Sequence, residues 1–213
     1  MKKKIAILSS SVRDGRLSHR VALFLQNYIE THSGSEVVAG IDETKVAANP
    51  GVATDTDANS GIEVDLIDLL EYDFPIFHER LPKMTSSPPA ALLDYARRVR
   101  ETDGLIVVSP VYNASFPASL KNAVDVLVDE WRYKPVLVAS VTMGATAGIS
   151  TVQQLQNLFL KMGARVAAPL YTVVNAGADF SETGEPRDPA LAEKFLAAPL
   201  AEFMWLVEKS VGD

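Results

Sequence analysis

Three short stretches hold the residue types from which a site could be made. The first is Ser9-Ser10-Ser11-Val12-Arg13-Asp14-Gly15-Arg16-Leu17-Ser18. Its hydroxyls donate hydrogen bonds, and Arg13 and Arg16 can supply bidentate, charge-assisted ones. Such a set suits an anion. It runs into a segment of helical periodicity, whose N-terminus adds free N–H groups and the positive end of the helix dipole. The stretch has neither G-x-G-x-x-G nor G-x-x-x-x-G-K-[ST], so the dinucleotide fingerprint and the nucleoside triphosphate loop are both missing. A terminal phosphate monoester is the anion left. A polar turn with a serine cap and two solvated arginines accounts for the same residues without a ligand.

The second stretch is Ser109-Pro110-Val111-Tyr112-Asn113-Ala114-Ser115-Phe116-Pro117, with a tyrosine and an asparagine amide directly after an apolar run. The pair offers an aromatic face or edge and an amide to a flat heterocycle. The plainer account is a turn whose tyrosine packs on the protein and whose asparagine caps the backbone. The third stretch is Ser140-Val141-Thr142-Met143-Gly144-Ala145-Thr146-Ala147-Gly148. Its small residues let backbone approach a ligand closely, and glycine allows positive φ. Alone it also reads as an ordinary strand-to-helix turn.

The elements that must position these stretches are legible as apolar runs and periodicities. Ile5 to Leu8, Val64 to Asp68, Leu105 to Val108 and Pro135 to Val141 read as strands, and Arg165 to Val174 as a fifth, interrupted at Pro169. Helical spacing recurs in Leu17, Val21, Phe24, Leu25, Tyr28 and Ile29, with Ser18 as its N-cap. Further helices follow Pro88-Pro89 and Pro117, the latter carrying Leu120, Val124, Leu127 and Val128. Two more hold Ile149 to Met162 and Leu191 to Leu206. Strands that are apolar throughout are covered on both faces, which makes the sheet parallel and the fold α/β. The expected architecture is a three-layer sandwich, a five-stranded parallel sheet of order 2-1-3-4-5 with helices on both faces. Ligands of such sheets bind beyond the carboxyl ends of the strands, where the order reverses, and all three stretches lie at that edge.

Composition narrows the rest. The 213 residues, at about 150 per domain, suggest one domain over 1–213. Residues 33–61, glycine-rich, acidic and without an aromatic side chain, read as a surface insertion, with a lid or an oligomer contact as the sharper alternative. Twenty basic against 27 acidic residues give a net charge of −7, which argues against nucleic acid and anionic membrane surfaces as partners. The absence of cysteine removes disulfides, thiolate metal sites and a cysteine nucleophile, and fits a reducing, cytoplasmic setting. No apolar run reaches the roughly 18 residues of a membrane span. Met1-Lys2-Lys3-Lys4 is followed by a β-type run rather than a cleavable signal pattern. No G-x-S-x-G elbow appears. His19, His32 and His78 have no metal-ligand spacing, and His78 could edge the site only because it follows the second strand. Lys121 and Asp125 stand at i, i+4, as a local ion pair or an oligomer contact.

Ser11-x-Arg13-x-Gly15-Arg16-x-Ser18 and Pro110-x-Tyr112-Asn113-x-Ser115-x-Pro117-x-x-Leu120-Lys121-Asn122-Ala123-x-Asp125 together resemble the NADPH-dependent FMN reductase family, over about residues 4–175 with 33–61 skipped. The resemblance implies a flavodoxin-like fold, FMN as cofactor and NADPH or NADH as reductant. It also implies a small-molecule electron acceptor such as free flavin or a quinone, and a homodimer or homotetramer. By position, it implies that Ser11, Arg13, Arg16 and Ser18 surround the FMN phosphate. Pro110, Val111, Tyr112 and Asn113 would run along the isoalloxazine, and Thr142, Met143 and Gly144 would approach its pyrimidine end. Three residues depart from the family pattern: Ser10 stands where glycine is common, Val111 where many members have glutamate, and Ala147-Gly148 replaces paired glycines. Backbone contacts survive such changes, whereas a glutamate side-chain contact does not. The flavin carries the hard chemistry, so no protein acid, base or nucleophile is required and no catalytic residue is assigned. The competing readings are a flavodoxin-type FMN electron carrier without nicotinamide turnover and a flavin-free protein that keeps the fold. The paired arginines speak against the carrier.

Overall fold

The computed structural model describes residues 2–32, 61–72, 74–144 and 148–210. The insertion expected at 33–61 thus lies, apart from Gly61, outside the described residues. The chain begins β1 (Lys3–Ser9), α1 (Ser18–Thr31), β2 (Ile62–Asp68), α2 (Ala90–Glu101), β3 (Gly104–Pro110) and α3 (Ala118–Asp125). It continues β4 (Pro135–Thr142), α4 (Ile149–Lys161), β5 (Arg165–Val166), β6 (Tyr171–Val174), α5 (Ala176–Asp179) and α6 (Pro189–Lys209).

The sheet runs β2-β1-β3-β4-β5, every pairing is parallel, and β6 also pairs with β4. β5 and β6 are the two halves of the expected fifth strand. Val136 and Ala139 of β4 face Val166 and Tyr171, so the fifth strand makes a longer excursion than its partner. Pro169 lies inside that excursion and has no N–H to give a ladder.

Successive strand residues point to opposite faces, and here each face has its own core. Ile5, Ile7, Ile106, Val108, Leu137 and Ala139 pack under α1 and α6, against Val21, Leu25, Leu200 and Phe203. Ala6, Leu8, Leu105, Val107, Val136 and Val138 pack under α2, α3 and α4, against Leu92, Val99, Leu120, Val124, Leu155 and Phe159. This is the three-layer sandwich that the continuous apolar strands predicted. Gly104, at the start of β3, lets α6 lie close: a Cβ there would stand 2.6 Å from Val207 Cγ2 and 2.7 Å from Phe203 Cζ. α3 is shorter than its periodicity suggested. It ends at Asp125, and Leu127 is buried from the following turn instead.

Candidate functional site

Parallel pairing brings every strand's carboxyl end to one edge. Ser9 of β1 faces Val108, Pro110 of β3 faces Val141, and Thr142 ends β4. The loops that follow β1, β3 and β4 therefore lie side by side. The chain leaves β1 toward β2 on one side while β3 lies on the other, which opens the crevice in which ligands of this architecture bind.

The loop after β1 is fixed from below. Ser10 donates to the Val108 carbonyl from both its N–H (3.1 Å) and its hydroxyl (2.9 Å), and Ser119 Oγ donates to the Ser10 carbonyl at 2.6 Å. Arg16 does not face solvent. Its two terminal nitrogens grip both carboxylate oxygens of Asp68, at the end of β2, and Nη1 also donates to the Ser11 carbonyl at 2.8 Å. The two side chains are 12% and 8% exposed. His19 Nδ1 lies 3.0 Å from Ser9 Oγ and 3.6 Å from Asp68. Burial, then the Arg16 cation, holds the His19 pKa below its ordinary value, with Asp68 and Glu71 opposing. Arg13, three residues before Arg16, is exposed, and its guanidinium has no ion pair among the described residues.

Ser18 differs from its expected role. Leu17 occupies the N-cap position, no side chain caps α1, and Ser18 is the first helical residue. The reason is local: Leu17 already has helical dihedrals, so the serine is carried one step into the helix. Its hydroxyl is buried without a hydrogen-bond partner among the described residues. An orphaned buried hydroxyl costs about 1–3 kcal/mol. An unpartnered hydroxyl, an uncapped helix N-terminus and an unpaired arginine on one loop form a donor set without an acceptor. That chemistry fits a phosphate.

The loop after β3 satisfies itself. Tyr112 and Ser115 exchange both backbone hydrogen bonds, at 2.8 and 3.0 Å, and Asn113 and Ala114 between them have φ of 51° and 61°. Positive φ at both central residues is the primed turn of tight hairpins. Asparagine tolerates it, whereas alanine is strained there by about 1–2 kcal/mol. Tyr112 Oη lies 2.7 Å from Ser11 Oγ, so the first two loops are joined directly. The Asn113 amide is exposed, and no hydrogen bond from it is formed among the described residues. In α3, Lys121 and Asp125 do form the local ion pair that their spacing allowed. Asn122 accepts from Phe77 N (2.6 Å) and donates to Pro75 O (2.9 Å), pinning the segment that leads to the exposed His78.

The loop after β4 is described at both ends. Gly144 N donates to Thr142 Oγ1 at 3.0 Å, and Met143 is 67% exposed. Gly148, with φ of 69°, stands at the N-cap of α4; a Cβ there would overlap Ser140 Oγ and lie 2.7 Å from Val111 Cγ2. The glycine thus lets α4 close on the second loop. Two residues that shape the site were not singled out from the sequence. Asp68 lies on β2, and the one hint of it was an acid at a strand's carboxyl end beside the reversal point. Gln154 lies on α4 and touches Ala114 and Ser115.

The structure therefore brings Ser11, Arg13, Ser18, Pro110, Val111, Tyr112, Asn113, Thr142, Met143 and Gly144 to one edge, and turns Arg16 inward. The chain as a whole is similar to known proteins. The chain is 27% identical over 183 residues to an NAD(P)H-dependent FMN reductase of Saccharomyces cerevisiae, covering 80% of this chain and 83% of that one. It is 29% identical over 123 residues to a quinone reductase of Pseudomonas putida, covering 54% of this chain and 64% of that one. The fold matches that of the flavoenzyme NAD(P)H:(acceptor) oxidoreductase FerB of Paracoccus denitrificans, with a TM-score of 0.72 at 20% identity over 98% of both chains. The profile of the NADPH-dependent FMN reductase family matches residues 3–179. The chain belongs to the NADPH-dependent FMN reductase family, oxidoreductases that use FMN and a reduced nicotinamide.

Proposed function

We propose that the protein binds FMN at this edge and uses it to pass electrons from NADPH or NADH to a small acceptor such as a quinone or free flavin. The observation that carries the reading is the Ser18 hydroxyl, buried without a partner at the uncapped N-terminus of α1. Ser11, Ser18 and the α1 N-terminus would hold the phosphate, and Arg13 would neutralise it. Arg16 stays on Asp68 and keeps the loop in shape. Pro110, Val111, Tyr112 and Asn113 would lie along the ring, and Thr142, Met143 and Gly144 at its pyrimidine end. When bound, FMN supplies acceptance of hydride from the nicotinamide and delivery of electrons onward.

The chain's own part is binding and orientation. Tyr112 spends its hydroxyl on Ser11, which leaves its ring and the Asn113 amide for the ligand. With Val111 in place of glutamate, contact along that edge falls to backbone groups. The exposure of Asn113 and Met143 leaves room for reductant and acceptor to use the site in turn, which gives ping-pong kinetics. A homo-oligomer in the cytoplasm is the setting we assign.

The test is a visible spectrum of the purified protein after addition of FMN and desalting, then after anaerobic NADPH or NADH. A retained flavin spectrum that bleaches supports the proposal. A retained spectrum that neither nicotinamide bleaches favours the electron carrier. No retained flavin, with no NADPH consumption in excess FMN, overturns it.

A further inference from the structure

We infer that Gln154 is a positioning residue for the flavin site: its side-chain amide locks the Tyr112–Ser115 turn and thereby sets how tightly FMN is held. The inference rests on the proposal that this turn lies along the flavin ring.

The turn needs an outside hold. It closes on only two backbone hydrogen bonds, one of its central residues is an alanine with positive φ, and it does not continue into a hairpin. α4 supplies that hold from one face. Ser150 and Gln154 stand at i, i+4 and so point the same way. Ser150 Oγ donates to the Ala114 carbonyl at 3.1 Å, and Gln154 Nε2 donates to the same carbonyl at 2.8 Å. Gln154 Oε1 accepts from Ser115 Oγ at 2.6 Å. The glutamine thus uses one end of its amide as donor and the other as acceptor, on consecutive residues of the turn. Gly148 makes the approach possible, since a side chain at that position would push α4 away from Val111.

The hold reaches further than the turn. Tyr112, hydrogen-bonded across the turn to Ser115, carries the hydroxyl that meets Ser11 in the phosphate loop. Gln154 is therefore linked, through two residues, to both regions that would grip the cofactor. It is itself exposed and contributes to neither core. A loss at this position should leave both cores intact and show chiefly in the cofactor site.

The chemistry of the amide makes a specific demand. A methionine keeps the length and removes both hydrogen bonds. A glutamate keeps the acceptor for Ser115 but sets a carboxylate oxygen against the Ala114 carbonyl, where a donor is needed. The experiment measures FMN affinity of the apoprotein by quenching of flavin fluorescence, together with the thermal midpoint of the same apoprotein. It compares wild type with Gln154→Met, Gln154→Glu and the neighbouring control Gln153→Met. Both Gln154 variants should bind FMN about tenfold more weakly, the scale of one or two neutral hydrogen bonds, with the apoprotein midpoint lowered by no more than about 4 °C and the control like wild type. Unchanged FMN affinity in Gln154→Met overturns the inference and leaves the flavin site standing. A loss of affinity together with a larger fall in the apoprotein midpoint assigns Gln154 to general stability and also overturns it. Wild-type protein that takes up no FMN overturns the flavin reading itself, and this inference with it.

Discussion

The loops after β1 and β3 lie at the same edge, are joined by one hydrogen bond, and are built in opposite ways. The first surrounds a buried ion pair, yet leaves a hydroxyl, a helix N-terminus and a guanidinium without acceptors among the described residues. The second closes its turn on its own backbone and on α4, leaves the Asn113 amide without a partner among the described residues, and holds two residues at positive φ. One region is short of an anion; the other is a finished surface kept in a strained shape. A site for a molecule with a charged tail and a flat ring needs both kinds. In the proposed site the tail would be held by groups left unpaired in its absence, and the ring by a turn already shaped by its own hydrogen bonds.

The contrast is sharpest between Arg13 and Arg16, and substituting each separates them. Arg16→Ala leaves Asp68 buried with its charge and without its main partner. Removing one member of a buried pair costs about 3–5 kcal/mol, and the slight exposure here places the loss near 3. Urea denaturation of the apoprotein should show it. The same substitution should raise the His19 pKa, because the Arg16 cation is one of the two causes that hold it down. A variant as stable as wild type would mean that the pair does not brace the loop.

Arg13→Ala should do the reverse. The side chain is exposed and unpaired, so stability should stay within the small range of ordinary surface substitutions. FMN affinity should weaken by about 1.5–3 kcal/mol, the scale of a hydrogen bond to a charged group, and riboflavin, which has no phosphate, should bind wild type and variant alike. Equal losses for both ligands would move Arg13 off the phosphate.

The difference between these arginines also marks what the sequence could disclose. Strands, sheet order and the break at Pro169 were legible because continuous apolar runs and proline have local meaning. The two motifs lie where parallel pairing must place them. Ser11, Arg13 and Arg16 read alike as donors in one polar run, but the partner that turns Arg16 inward stands 52 positions away, on β2. Nothing local announces such a pair. Ser18 was misread by one position, because a serine before an apolar periodicity suits either the cap or the first turn. Gln154 escaped because a glutamine on an exposed helical face looks like a solvated residue; only the folded turn opposite gives it work.

The smallest expected effect probes the strained loop. Ala114 has φ of 61°, a region in which a Cβ is disfavoured and glycine is not. Ala114→Gly removes that strain but adds freedom to the unfolded chain, which returns about 0.4–1 kcal/mol. The net gain should lie between zero and about 1.6 kcal/mol, a rise of at most a few degrees in the thermal midpoint of a chain this long. The carbonyl gripped by Ser150 and Gln154 is backbone and survives the change, so FMN affinity should stay as in wild type. A higher midpoint with unchanged affinity would show that the shape comes from those hydrogen bonds and not from the alanine. A higher midpoint with weaker binding would show instead that the Cβ stiffens the turn for its ligand, and that the second loop is less complete without FMN than its hydrogen bonds suggest.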